Sequence, residues 1–218
     1  MEGCGHSGIS RFRTYIIVVM RSAMKQIYCP VQLRTEISSF IKATVRTTPS
    51  DYLTASDLEV KLEAAEVARV RGIVFRSNSL DLSYLLNDRE LDAIEQLCKA
   101  YEDRFEEKAI NDCNLVFFLG DNPGWAKTWS AVSKRIPTYR RNSSSGKMWY
   151  PSRGRWLTHA ERLGSLSLPV RMSMANAMGV CPAPIVDPKR AAQMAGNAMS
   201  FQTCAIIQMV ALSCFTER

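Results

Sequence analysis

Two histidines and no C-x-x-C pair leave this 218-residue chain without the usual materials of a zinc site. Its seven cysteines (Cys4, Cys29, Cys98, Cys113, Cys181, Cys204 and Cys214) stand singly, which argues against a disulfide framework and for reduced, mostly buried thiols. Long apolar runs are also missing. The longest, "YIIVVM" at 15–20 and the tail at 205–215, fall short of the roughly 20 residues that cross a bilayer. A basic start precedes "YIIVVM", but Arg21 ends the run and no cleavage site follows, so the segment is a poor signal peptide. The expectation is a nuclear or cytoplasmic protein, neither secreted nor transmembrane. One further absence is local: no acidic residue occurs between Asp121 and Glu161.

What is present is an ordinary globular composition, 46% hydrophobic and 22% charged, with a net charge of +7. The charge is unevenly spread. Residues 51–107 hold fourteen Asp or Glu against seven Lys or Arg, whereas the acid-free interval holds Lys127, Lys134, Arg135, Arg140, Arg141, Lys147, Arg153 and Arg155. Trp125, Trp129, Tyr139, Trp149, Tyr150 and Trp156 are interleaved with these cations. Cations that neutralise phosphates and aromatics that stack on bases make this the candidate nucleic-acid-binding segment. The alternative is a solvated basic loop whose aromatics cover a small core.

Local patterns assign the elements. "TYIIVV" (14–19) is β-branched and continuous, and reads as a buried strand. Within 51–72, Ser56 and Glu59 stand at capping-box spacing, with Leu58, Leu62, Ala65 and Val67 or Ala68 on one side of the helix that follows. Asn87 caps a helix reaching to 109, along which Leu91, Ile94, Cys98, Tyr101 and Phe105 form an apolar stripe. "NLVFFL" (114–119) reads as a second buried strand, ended by the turn signal "GDNPG". From 125 to 156 mostly loop with short extended pieces is expected. Thr158 and Glu161 form another capping box, Pro182, Pro184 and Pro188 mark an irregular link, and 198–215 is a near-uniformly apolar helix to be buried on most sides. In "RAAQMAGNAMS" (190–200), Gly196 and Asn197 interrupt helix-favouring residues, so either two helices break there, with Asn197 or Ser200 capping the second, or a turn is placed for a ligand.

Three pieces in chain order resemble the C-terminal part of the DNA cytosine-5 methyltransferase family. "GISRFRTYIIVV" (8–19) is similar to the family's eighth motif, an R-x-R pair leading into a strand, with Ile9 about where a Gln is expected. "RWLTHAERLGSLSLPV" (155–170) is similar to the ninth, in which Arg155, Leu157, Thr158, Glu161 and Pro169 fit while "LGSLSLP" replaces Leu-Gln-Gly-Phe-Pro. "QMAGNAMS" (193–200) looks like the tenth. The family places its variable target-recognition region between the eighth and ninth motifs.

The resemblance implies an α/β fold: the C-terminal part of a Rossmann-like methyltransferase (1–20 and 155–218) around a target-recognition region (21–154), acidic and helical to about 110 and then basic and aromatic. It implies DNA as partner, with RNA not excluded, and S-adenosylmethionine as methyl donor. Arg11 and Arg13 would then serve catalysis, Arg13 by bonding the flipped cytosine's carbonyl or the adjacent phosphate. Gly196, Asn197 and Ala198 would line the cofactor, Lys134, Arg135, Arg140, Arg141, Lys147, Arg153 and Arg155 would hold nucleic acid, and Thr158 and Glu161 would fix a helix. The family's glycine-rich cofactor loop, Pro-Cys nucleophile and Glu-Asn-Val motifs are absent from the sequence. The chain is therefore expected to be a fragment, inactive and poorly soluble alone. A non-catalytic basic module that binds nucleic acid or docks a partner through its apolar tail is the alternative.

Overall fold

The computed structural model describes residues 8–10, 13–140, 147–184 and 188–218, which combine seven helices with small antiparallel sheets, about half of the chain being helical. Strand β1 (Met24–Gln26) leads into helix α1 (Pro30–Thr44). Helices α2 (Asp57–Arg71) and α3 (Asp88–Phe105) follow, then strands β2 (Phe117–Phe118), β3 (Met148–Tyr150) and β4 (Arg155–Trp156). The chain closes with α4 (His159–Ser165), α5 (Met172–Met178), α6 (Pro188–Asn197), α7 (Phe201–Cys214) and β5 (Phe215–Glu217). This is a mixed helix and sheet architecture, compatible with the α/β expectation at that coarse level.

Side-chain caps fix where α2 and α3 start. Ser56 accepts from the Glu59 N–H while Glu59 accepts from the Ser56 N–H, and Asn87 and Glu90 do the same at α3. Each box satisfies two of the amide groups that a helix start would leave bare. Gly72 ends α2 in the left-handed conformation (φ 67°), where its N–H reaches back to the carbonyls of Ala68 and Arg69.

Three cores organise the packing. The first joins α2 and α3 to the sheet through Val60, Ala64, Leu97, Tyr101, Phe117, Trp149 and Trp156. The sheet runs β2-β3-β4, all antiparallel, with Phe117 opposite Trp149 and Trp149 opposite Trp156. The second core lies on the sheet's other side. It gathers Ile9, Val116, Phe118, Ile136, Tyr139, Tyr150, Leu157, Leu163, Leu166, Ala191 and Ala195. Residues 8–10 enter it as a parallel bridge, with the Ser10 N–H bonding Ile136 O at 2.9 Å and the Ile136 N–H bonding Gly8 O at 2.8 Å. The third core is small: Ile206, Val210 and Cys214 of α7 against Leu33, Ile37 and Ile41 of α1, closed by the β1-β5 pair.

Several expectations are corrected. Residues 14–19 form no strand. Ile16 and Val18 are exposed, and only Ile17 packs on the third core, because no neighbouring strand among the described residues offers a hydrogen-bond ladder. On α2 the buried face is Val60, Ala64 and Ala68, and Leu58 and Leu62 point outward. On α3 it is Glu90, Ala93, Leu97 and Tyr101; of the expected stripe Tyr101 is buried, Ile94 and Cys98 pack half-buried on the same core, and Leu91 and Phe105 are exposed. Helix α7 is mostly exposed, burying only Thr203, Ile206, Val210 and Cys214. Cys29, Cys113 and Cys181 are exposed rather than buried. The domain boundary expected at 154/155 falls inside the three-stranded sheet.

Candidate nucleic-acid interface

The acid-free interval is wrapped around the sheet, and the fold supplies the carboxylates that its sequence lacks. Arg140 makes a two-pronged bond to Asp121, at 2.6 and 2.7 Å, and its guanidinium stacks 5.1 Å over the Phe118 ring. Lys134, whose backbone sits at φ 52°, lies 3.9 Å from Asp112. Arg155 forks onto Glu161 at 2.9 Å on both prongs and donates a further bond to Trp156 O. Lys147 lies 3.5 Å from Glu90 and 4.9 Å over the Trp156 ring.

Two of these carboxylates are the cap residues of helices. Glu161 closes the Thr158 box at α4, accepts the Ala55 N–H at 2.9 Å, and holds Arg155. Glu90 closes the Asn87 box at α3 and holds Arg71 and Lys147. Both side chains are fully buried. Burial pushes the Glu90 carboxyl up, but the Arg71 and Asn87 hydrogen bonds and the nearby cations outweigh it and leave the group below its ordinary value. Burial acts the other way on Lys147, whose pKa falls to about 8 despite the pull of Glu90. Nearby, Glu63 accepts from the Trp156 indole at 2.8 Å and the His159 N–H at 3.0 Å, and lies 2.8 Å from His159 Nδ1. The sequence reading passed over Glu63 and Glu90. Their signal was a carboxylate on the same helical face as buried alanines.

The seven proposed nucleic-acid residues therefore divide. Lys134, Arg140 and Arg153 reach the surface, Arg135 is half-buried, and Lys147 and Arg155 are held inside by ion pairs. Arg141 lies outside the described residues. Of the interleaved aromatics, Trp129, Tyr139, Trp149, Tyr150 and Trp156 are core, so they do not stack on bases. Trp125, 92% exposed beside exposed Lys127, is the exception.

Arg11 lies outside the described residues, and Arg13 is exposed. Gly196 and Asn197 are the last residues of α6, and the helix break falls at 198–200. Ser200 occupies the cap position of α7 without making the cap bond, and its buried hydroxyl has no partner among the described residues. The Ala198 N–H bonds Met194 O at 2.7 Å and the Phe201 N–H bonds Leu166 O at 2.9 Å. The two helices are thus tied to α4 through the turn. Among the described residues no group of His, Cys, Asp and Glu is placed to hold a metal ion.

No protein family, curated protein or solved structure matches the chain. The site is therefore read from its own chemistry.

Proposed function

We propose that this chain is the target-recognition and C-terminal part of a cytosine-5 DNA methyltransferase, with a Rossmann-like catalytic fold completed by other segments, and that its own activity is binding nucleic acid. The observation that carries the reading is the second core. It draws together Ile9 from the first resembling segment, Leu157, Leu163, Leu166, Leu168 and Val170 from the second, and Ala195 and Ala198 from the third, together with Ala191 of α6. Residues from segments more than 140 positions apart in the chain share this apolar contact set with Val116, Phe118, Ile136, Tyr139, Met148 and Tyr150 from between them, which supports reading the segments as parts of one unit.

The division of labour follows from burial. Arg155, Thr158 and Glu161 are mutually bonded and carry the helix that anchors the recognition region. Arg153 faces outward, Lys134 is exposed 3.9 Å from Asp112, and Arg140 would meet a phosphate only by leaving Asp121. S-adenosylmethionine is the methyl donor that this reading implies. The turn at 196–198 fits it only in part, since the Ala198 and Phe201 N–H groups are already committed, and the exposed Asn197 side chain is the group left to meet it. No cysteine stands in a Pro-Cys setting, so no methyl-transfer step belongs to this chain alone. RNA falls within the same reading.

Binding by fluorescence anisotropy tests it. Duplex DNA should bind with a steep salt dependence, and replacing Lys134 and Arg153 together with alanine should lower the slope by about two. A duplex carrying a mismatched cytosine should bind several-fold tighter than a fully paired one, because the cost of unpairing the base is removed. Equal affinity for the two duplexes would leave a basic binding module and sink the methyltransferase reading. No binding at low salt would sink both.

A further inference from the structure

The turn that follows β2 holds a tryptophan in water. Trp125 is 92% exposed, on the order of 200 Å² of ring surface left unburied, while Trp129, Trp149 and Trp156 are all core. The turn itself is pinned at several points. Its stem is an antiparallel ladder, with the Phe118 N–H bonding Thr128 O at 2.9 Å and the Ser130 N–H bonding Val116 O at 3.0 Å. Above the stem, Asn122 O accepts the N–H groups of Trp125 and Ala126 at 3.0 and 3.1 Å, and Asn122 Oδ1 accepts that of Gly124 at 2.9 Å. Asp121 is held by both Arg140 and Thr128, and Pro123 adds a fixed φ.

One face of α3 lies against this turn. Arg89 donates to Leu119 O at 3.0 Å and ties the helix to the base of the turn. Further along the helix, Gln96, Lys99, Asp103 and Arg104 line an open hollow of about 290 Å³, to which the turn contributes Lys127. Three cations meet one carboxylate there. Lys99, Arg104 and Lys127 are exposed and enter no ion pair among the described residues, in contrast to Arg140, Lys147 and Arg155. Helix α3 sorts its charges, since Glu102 lines a different hollow with Cys98 and Lys108.

We propose that Trp125 and the hollow to which Lys127 belongs form a binding site for an unpaired nucleotide, the base stacking on the Trp125 ring and the flanking phosphates meeting Lys127, Lys99 and Arg104. The neighbours of the ring select this partner. A protein or membrane surface would be met by apolar side chains around the ring, whereas residues 121–127 offer only Pro123 and Ala126 beside it. An aromatic face next to unpaired cations suits a single strand, because every base has a π-face and every link carries a phosphate. A duplex keeps its base faces stacked, so the nucleotide is an unpaired one. Holding the ring in place before binding also lowers the cost of ordering it. The inference rests on the nucleic-acid reading above and adds a contact that none of the three resembling segments contains.

Fluorescence anisotropy with a short single-stranded oligothymidylate and the full chain tests it. Trp125→Ala should weaken binding about tenfold and Trp125→Phe much less, and Lys99→Ala with Lys127→Ala should lower the salt slope by about 1.4. All three side chains are exposed, so circular dichroism of the variants should match the wild type. Inorganic polyphosphate has the charge without the bases, and Trp125→Ala should bind it as the wild type does. An oligonucleotide that does not bind at low salt, or that binds wild type and Trp125→Ala alike, would overturn the proposal. So would an equal loss of polyphosphate affinity, which would make Trp125 a support for the cations and not a stacking platform. Duplex DNA with the Lys134 and Arg153 double variant separates the two readings. If that variant loses duplex affinity while Trp125→Ala leaves the oligonucleotide untouched, this site falls and the recognition reading stands; the reverse pattern keeps this site alone.

Discussion

Lys147 is the residue whose sequence neighbours most misrepresent it. It sits among cations and serines in the sequence, yet the fold removes it from water and sets it against Glu90 and the Trp156 ring. With its folded pKa near 8 and an unfolded value near the ordinary lysine range, the unfolded chain binds more protons between those limits. The cost of burying the charge is fully present below about pH 8 and is relieved as pH rises toward the unfolded value. Stability of the wild type relative to Lys147→Met should therefore rise between pH 8 and 10, with a slope of at most about 1.4 kcal/mol per pH unit. Denaturant unfolding of both proteins across that range checks it, and a flat difference would mean that Lys147 is solvated. Glu63 and Glu90 have a linkage of the same sign in the acid range. Burial pushes both up, but His159 and Trp156 around Glu63, and Arg71 around Glu90, hold them low, so their stabilisation is lost as pH falls through the lowered values.

At the scale of the element, local grammar was reliable and facing was not. The capping boxes at Ser56, Asn87 and Thr158 form as spaced, because a cap needs only residues within one turn of each other. Which face each helix buries is set by what it meets: α2 turns Val60, Ala64 and Ala68 inward rather than Leu58 and Leu62, and α3 buries Glu90 beside Ala93, Leu97 and Tyr101. The cap glutamates also reach beyond their helices: Glu59 bonds Arg171, Glu90 bonds Arg71, and Glu161 bonds Arg155. Helix α4 shows what this is worth. Glu161→Gln keeps the side-chain volume but removes the charge that faces Arg155, and breaking a buried pair from one side costs about 3–5 kcal/mol. A matching fall in unfolding free energy is expected, far above the roughly 1 kcal/mol of an isolated cap. A double-mutant cycle with Arg155→Ala should return a large coupling, and additive losses would place the two residues in separate roles.

At the scale of the whole molecule, stability is uneven. Two cores flank the β2-β3-β4 sheet and share it, while the α1-α7 unit rests on three buried residues. Hydrogen exchange should show α1 and α7 opening well before α3 and the sheet, since few buried contacts hold them. Equal protection throughout would show one cooperative unit. The interleaved aromatics teach the same lesson from the other direction. A Trp among cations is a stacking platform or a core residue according to whether the fold covers it, and of the interleaved aromatics only Trp125, in the turn beyond β2, stays outside.

The sequence by itself determined the capped starts of α2, α3 and α4, the turn after Leu119, the break between α6 and α7 and the uneven charge, because each depends on residues close together in the chain. Tertiary structure decided the rest. The acid-free segment finds its carboxylates on Asp112, Asp121, Glu90 and Glu161, and residues 14–19 form no strand because none among the described residues runs beside them. The segments that resemble one family come together around Leu157 and Leu166. Charge pairing, sheet pairing and burial are long-range events: their partners lie tens to more than a hundred residues away, where no local pattern reaches.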